Sequence, residues 1–245
     1  MNLHSLEPES SASAIPPLPR ILFIAAFCQQ MYVNTSALKS QSDYTIIFSL
    51  NYTMVKRMKK AILIFLCVFA FIFTVWYMQF GGLTENSGAL SKTGLIHPVY
   101  FSVWGISVFA AIYANLLFAY KSLLHKRRFQ YILFSVSAIG MLLTLTCDFN
   151  YENKLQYILH CTGSLTFSVL TGVCVFMLFL LNYQKSRMFA TFTYIIGLLL
   201  ITDLILLLIF QENALIEAVP ILFALILLPT LNFTNLFKEK AYAAR

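Results

Sequence analysis

Six long apolar stretches follow one another along the chain, and short polar segments separate them. Each stretch is close to the ~20 residues that an α-helix needs to cross about 30 Å of hydrocarbon. Because lipid offers no hydrogen bonds, the backbone of a spanning segment must satisfy its own polar groups, which favours helices. The pattern therefore predicts an all-α fold, a polytopic transmembrane bundle with helices at about residues 61–80, 98–120, 129–147, 157–181, 188–210 and 218–237.

The composition agrees with a membrane protein and excludes a soluble one. Of the 245 residues, 59% are hydrophobic and only 11% are charged, too few charges to cover the surface of a soluble domain. The net charge of +7 could indicate a nucleic-acid partner, but the basic residues lie in short loops at helix ends. There they indicate topology. We therefore expect the lipid bilayer as partner and no nucleic acid.

The loops alternate between basic and non-basic, which predicts the orientation of the bundle. Basic side chains near helix ends resist translocation and stay on the cytoplasmic side. One set of loops and ends holds Lys56, Arg57, Lys59, Lys60, Lys121, Lys126, Arg127, Arg128, Lys185, Arg187, Lys238, Lys240 and Arg245. The other set holds Lys92 and Lys154. This distribution predicts that both chain ends lie inside, N-in/C-in.

The first 57 residues differ from the rest of the chain. Residues 7–19 are rich in Ser, Pro and Glu, which cannot bury enough apolar surface to fold, and residues 21–27 are too short to span. A basic start at Met58, followed directly by an apolar helix, is typical of a bacterial plasma-membrane protein. We expect a disordered or mis-annotated extension at 1–57, a transmembrane domain at 58–237 and a cytoplasmic tail at 238–245.

Besides Glu217 at the outer start of the sixth helix, four ionisable residues lie towards the outer ends of the predicted helices: His97, Asp148, His160 and Asp203. Asp203 comes seven residues before the outer end of the fifth helix, about 10 Å deep at 1.5 Å per residue. A carboxylate at that depth costs about 2–3 kcal/mol unless it is paired, protonated or facing a wet cavity. These residues predict a polar site that faces outward, open to a lipid or small-molecule ligand.

Two kinds of role fit these residues. His97, His160 and Asp148 could bind a metal ion, with zinc as the cofactor and Asp203 or Asp148 as the catalytic group that activates water against a lipid ester or amide. Alternatively, His97 and Asp148 cap helix ends, His160 hydrogen-bonds the 148–156 loop, and Asp203 pairs within the bundle. A transporter would instead use Asp203 for proton coupling.

Three short motifs carry a resemblance to known membrane proteins. They are His97-Pro98 after the first outer loop, the turn Cys147-Asp148-Phe149-Asn150-Tyr151-Glu152, and His160 with Gly163 and Phe167 behind it. With the six-helix plan from residue 58 onward, they resemble a bacterial family of uncharacterised six-helix integral membrane proteins, distantly like the eukaryotic DRAM/Sfk-type proteins. The resemblance implies fold and membership rather than a mechanism.

A fainter resemblance joins the chain to seven-helix intramembrane hydrolases, which use a Ser/Asp/His cluster with zinc. This chain offers two histidines where those proteins use three, and one helix fewer. The leading interpretation is a multi-pass membrane protein with a structural, sensory or lipid-associated role. An outer-leaflet metal-dependent lipid hydrolase and a small proton-coupled transporter are the alternatives, so whether the chain is an enzyme stays open.

Overall fold

The computed structural model describes residues 41–123 and 128–237, and within these ranges the chain forms helices and no strand. The helices are α1 (Gln41–Tyr77), α2 (Leu90–Ile96), α3 (Pro98–Leu123), α4 (Arg128–Thr146), α5 (Lys154–Leu180), α6 (Arg187–Phe210) and α7 (Ala214–Phe233). All except the short α2 contain a segment long and apolar enough to cross a membrane. The prediction of an all-α polytopic bundle of six helices is confirmed. Its N-in/C-in orientation stays a prediction.

The predictions for the chain ends fall mostly outside the described residues. Residues 1–40 and 238–245 lie beyond them, so the N-terminal extension and the cytoplasmic tail stay predictions. Residues 41–57 form the first part of α1. Backbone contacts divide the chain into two units, residues 1–57 and 58–245, and the packing described below belongs to the second unit.

Three helices begin at a polar side chain that caps the first turn. The Asn153 side chain accepts a hydrogen bond from the Gln156 N–H at 3.3 Å, and Asn213 accepts from Ile216 at 3.0 Å. Ser186 does the same for Phe189 at 3.4 Å at the start of α6. Such caps satisfy N–H groups that have no partner inside the helix. They explain why α5 and α7 begin several residues before their apolar runs.

Burial is uneven among the spanning helices. In α3, half of the residues in the most apolar part of the span are buried, whereas in α6 this fraction is 11%. The buried residues of α6 are Phe189, Thr193 and Ile196. The small residues of helices two to four predict that these helices form the centre, and helix five is predicted to be more exposed to lipid. The exposure of α6 is as predicted. The prediction does not include the sixth span, α7, in the centre, yet at 39% it is more buried than α4 or α5.

Helices α4 and α5 make the most extensive helix–helix contact in the described part of the chain. Two glycines face each other where the helices cross. A Cβ atom on Gly163 would lie 2.7 Å from the Gly140 carbonyl oxygen, and one on Gly140 would lie 2.8 Å from that of Gly163. Further along, the Ser137 and Thr171 hydroxyls are 2.8 Å apart. In lipid, helices associate through such close backbone approach and hydrogen bonding.

A polar cluster joins α1, α3 and α7. The Asn115 side chain is fully buried and donates to the Leu63 carbonyl and the Cys67 sulfur, each at 3.2 Å. The Asn232 amide on α7 donates in turn to the Asn115 backbone oxygen at 3.0 Å and to its side-chain oxygen at 3.1 Å. Asn115 therefore acts as an interhelical hydrogen-bonding residue.

The loop between α1 and α3 folds onto the beginning of α7. The Glu217 carboxylate accepts hydrogen bonds from the backbone N–H groups of Leu90, at 2.8 Å, and Ser91, the first two residues of α2. The Leu215 N–H donates to the Leu83 carbonyl at 3.3 Å. A carboxylate supplied by a distant helix thus satisfies the free N–H groups at the start of α2.

We expect the Glu217→Leu variant to expose this loop to protease. Two N–H groups lose their side-chain acceptor, and leaving a buried donor without a partner costs about 1–3 kcal/mol. Cleavage after Lys92, the one trypsin site between residues 81 and 97, should be at least about tenfold faster in detergent-solubilised protein. Glu212→Leu, which removes a neighbouring carboxylate, is the control. Equal cleavage rates in the two variants would contradict the role of Glu217.

Candidate functional site

A small cavity lies where α2, the start of α3, the end of α4 and the start of α5 meet. It offers about 40 Å³ to molecules the size of water, enough for a single small polar group. The residues around it are Ser91, Gly94, Leu95, Pro98, Phe101, Ser102, Thr144, Leu145, Cys147, Asp148, Phe149 and His160. All of these lie near the helix ends that the basic-loop rule assigns to the outer side.

His160 borders the cavity and is the most unusual residue in it. The side chain is 2% exposed, and its Nδ1 lies 2.8 Å from the Cys147 carbonyl oxygen. Because a carbonyl can only accept, Nδ1 must carry the proton and donate. In the neutral ring the other nitrogen, Nε2, is then an acceptor, and this buried atom has no partner among the described residues. An unpaired buried acceptor is costly, so a donor placed beside it is stabilising.

Aromatic rings hold the imidazole in place. The Phe149 ring meets it edge-on with centroids 5.3 Å apart, and the Phe101 ring stacks at 5.9 Å. Phe149 is itself buried. The ring orientation is therefore set by packing on two sides and by the Cys147 carbonyl, which leaves Nε2 in a fixed position.

Three hydroxyl groups line the cavity; that of Ser91 can donate or accept, whereas those of Ser102 and Thr144 have already used their protons. Ser102 donates to the Pro98 carbonyl at 2.9 Å, and Thr144 donates to the Gly140 carbonyl at 3.0 Å. Only their lone pairs remain, and the exposed Asp148 carboxylate is also an acceptor. Acceptors thus dominate the cavity walls. A ligand that fits this chemistry is a hydrogen-bond donor, such as an ammonium or hydroxyl group.

The surface beside the cavity is apolar and open. Ile96 is 76% exposed and Val99 is 69% exposed, and both flank Pro98 at the junction of α2 and α3. Side chains of this kind at a helix end suit contact with lipid chains. The cavity therefore combines a small polar interior with an apolar approach.

The structure brings together two of the four predicted residues. His160 and Asp148 border the same cavity. His97 ends α2 instead, and its ring lies against Phe80 and Tyr100 at centroid distances of 5.1 and 5.7 Å. Asp203 lies on α6 and does not line the cavity.

The predicted metal site gains no geometric support. Over residues 41–123 and 128–237, no group of three His, Cys, Asp or Glu side chains is placed to hold a metal ion. His97, His160 and Asp148 as zinc ligands, and Asp148 or Asp203 as catalytic groups, stay predictions. The simpler expectation for His160 is close to the structure, since its partner is Cys147, one residue before the 148–156 loop.

Sequence reasoning missed the Cys147 carbonyl, Ser102 and Thr144. The carbonyl had a detectable signal, because the last carbonyl groups of a helix lack partners within it and Cys147 directly follows α4. The two hydroxyl groups had no such signal in the sequence, because serine and threonine are frequent in membrane helices. Only the packing of the helices shows which of these residues line the same cavity.

Comparisons of the chain with protein-family models, with curated proteins and with solved structures find no match. The resemblance to six-helix bacterial membrane proteins therefore stays a prediction.

Proposed function

We propose that this multi-pass membrane protein is a lipid-associated protein that binds the hydrogen-bond-donating head group of an outer-leaflet lipid in the cavity beside His160. The observation that carries the proposal is the buried His160 Nε2, an acceptor without a partner in the described structure. The distribution of basic residues supports an N-in/C-in orientation in a bacterial plasma membrane, with the cavity facing outward.

The size and chemistry of the cavity define the head group. A space of about 40 Å³ takes a primary ammonium or a hydroxyl but not a bulky trimethylammonium group. Donation to His160 Nε2 satisfies the unpaired nitrogen, and Asp148 at the rim favours a positive charge. The acyl chains then lie along the apolar surface near Ile96 and Val99. This arrangement binds a lipid and requires no bond to be broken.

The alternatives have less support from the described geometry. A metal-dependent hydrolase needs a ligand set, and His97 lies away from the cavity. A proton-coupled transporter needs Asp203 on a substrate path, and α6 is the least buried spanning helix. Both remain hypotheses, without a specific contact in their favour.

We expect His160→Phe to abolish head-group selectivity. In nanodiscs of mixed composition, the wild-type protein should retain phosphatidylethanolamine over phosphatidylcholine by about tenfold, the value of one charged hydrogen bond. The variant keeps a planar ring but has no nitrogen, so the ratio should fall to about one. Native mass spectrometry of the ejected protein–lipid complexes measures the ratio.

His97→Phe is the matched control, because it makes the same change in a histidine outside the cavity. It should keep the wild-type ratio. Free ethanolamine, added to protein in phosphatidylcholine nanodiscs, separates a lipid from a soluble ligand: a rise in melting temperature with ethanolamine alone would favour the soluble ligand. Equal retention of the two lipids by wild-type protein would refute the proposal.

A further inference from the structure

The acceptor that carries the proposed function, His160 Nε2, is buried as well as unpaired among the described residues. A donor must come within about 3 Å of this atom to form a hydrogen bond with it. A buried atom has almost no surface open to an approaching molecule. Part of the cavity wall must therefore move before a head group reaches Nε2, and that part controls access to the site.

Most of the wall is fixed by the packing of the bundle. Helices α3, α4 and α5 each contain a membrane span, and α4 and α5 meet backbone to backbone at Gly140 and Gly163. The turn after α4 cannot move alone, because the Cys147 carbonyl holds the His160 ring. The remaining wall is α2, a helix of seven residues that is too short to span a membrane.

One face of α2 lies on the cavity. Ser91, Gly94 and Leu95 line it, and their spacing of three and four residues puts them on the same side of a helix. Gly94 lies close to Phe101, since a Cβ atom on Gly94 would be 2.8 Å from a carbon of that ring. Ser91 is buried and Leu95 is exposed, so this face reaches from the interior of the cavity to its mouth. A displacement of α2 would therefore open the cavity.

The two ends of α2 are held in different ways. At its last turn the chain continues through His97 directly into α3, with no loop between the two helices. At its first turn, the Leu90 and Ser91 N–H groups donate to Glu217 of α7. The Tyr77 hydroxyl of α1 donates to the Leu90 carbonyl at 3.1 Å. Ser91 therefore belongs both to this attachment and to the cavity wall.

We propose that α2 is the lid of the head-group cavity and that Glu217 is the positioning residue that holds it closed, an inference that rests on the proposed function. When the hydrogen bonds to Glu217 break, α2 turns about His97 and its cavity face moves away from His160. A lipid of the outer leaflet then enters. When the bonds form again, the Ser91 hydroxyl, which can donate or accept, lies beside the head group together with His160. Glu217 touches no ligand and acts through α2.

The modification rate of Cys147 measures the opening of α2 without the proposed ligand. Cys147 has a free, half-buried thiol and lines the cavity. The full chain in phosphatidylcholine nanodiscs is treated with N-ethylmaleimide, and peptide mass spectrometry follows the labelling of each cysteine. We expect Glu217→Leu to label at Cys147 at least about tenfold faster than wild type, because opening no longer breaks these hydrogen bonds. Glu217→Gln, which keeps an oxygen acceptor, should lie between the two.

Two controls separate the lid from a general loosening of the outer end. Cys161 has a free, half-buried thiol on α5 that does not line the cavity, and its rate should stay within about twofold of wild type in both Glu217 variants. Glu212→Leu, which removes the neighbouring carboxylate, should leave the Cys147 rate within about twofold of wild type. The proposal is overturned if Cys147 labels at the wild-type rate in Glu217→Leu. It is equally overturned if the Glu217 variants label both cysteines faster by the same factor.

A second measurement keeps failure of the lid apart from failure of the proposed function. Protein loaded with phosphatidylethanolamine is mixed with excess phosphatidylcholine nanodiscs, and native mass spectrometry follows the loss of the bound lipid. Glu217→Leu should lose it at least about tenfold faster than wild type, and loss at the wild-type rate would overturn the role of α2. Equal retention of the two lipids by wild-type protein would instead refute head-group binding, and Cys147 labelling would still decide whether α2 opens.

Discussion

Gly163→Ala is expected to destabilise the protein by about 1–3 kcal/mol, the range measured for inserting a carbon into packed interiors. The new Cβ would lie 2.7 Å from the Gly140 carbonyl oxygen and 2.9 Å from the Thr144 backbone nitrogen. Backbone atoms cannot turn aside as a side-chain end can, so α4 and α5 must separate. Reversible unfolding in mixed micelles, followed by circular dichroism, measures the loss.

Gly197→Ala on α6 is the control for this prediction. Its Cβ would meet only a ring atom of Phe176, at 3.3 Å, which can shift by a few tenths of an ångström. Alanine also favours helices over glycine by about 1 kcal/mol. The control should therefore be neutral or stabilising. A Gly163→Ala protein as stable as the Gly197→Ala protein would show that α4 and α5 do not depend on the close approach.

Asn115→Leu is expected to cost about 2 kcal/mol. It removes the side-chain hydrogen bonds to Leu63 and Cys67 on α1 and deprives Asn232 on α7 of one acceptor. Hydrogen bonds between membrane helices contribute about 0.6 kcal/mol each on average and up to about 1.7 kcal/mol. Because Asn115 joins three helices, its substitution removes several such hydrogen bonds at once. The free energy of unfolding in micelles measures the effect.

A double-mutant cycle with Asn232→Leu separates the hydrogen bond from the change in packing. The two substitutions together should cost about 1 kcal/mol less than the sum of each alone, because they remove the same bond. Ser135→Ala serves as a control, since that hydroxyl bonds only to the Tyr131 carbonyl in its own helix, at 2.9 Å. Fully additive losses at Asn115 and Asn232 would contradict a direct interaction.

The spanning helices could be predicted from the sequence because the bilayer imposes a length and an apolar composition. Their first turns could not be predicted in this way. The α5 helix begins at Lys154 and α7 at Ala214, where Asn153 and Asn213 cap turns that precede the apolar runs. A capping signal was present in both places, since asparagine favours the cap position. A prediction from hydropathy alone does not use this capping signal.

The candidate site was predictable only in part. His160 and Asp148 lie on either side of one short turn, so their proximity follows from the chain connection. The position of His97 does not follow in this way. It depends on α2, a short helix that turns the first loop towards α7 and leaves the His97 ring against Phe80. Interactions between residues more than 100 positions apart decide that arrangement, and one sequence does not reveal them.

The hydrogen bond from Leu90 to Glu217 joins residues 127 positions apart, and Asn86 and Gln211 form another between the same two regions. A ribosome that adds 5–20 residues per second needs roughly 6–25 s to make the intervening chain. During synthesis the first loop is therefore made long before the residues that form hydrogen bonds with it. An enzyme or chaperone that acts on the free loop can do so during that interval, which ends once the last helix is inserted.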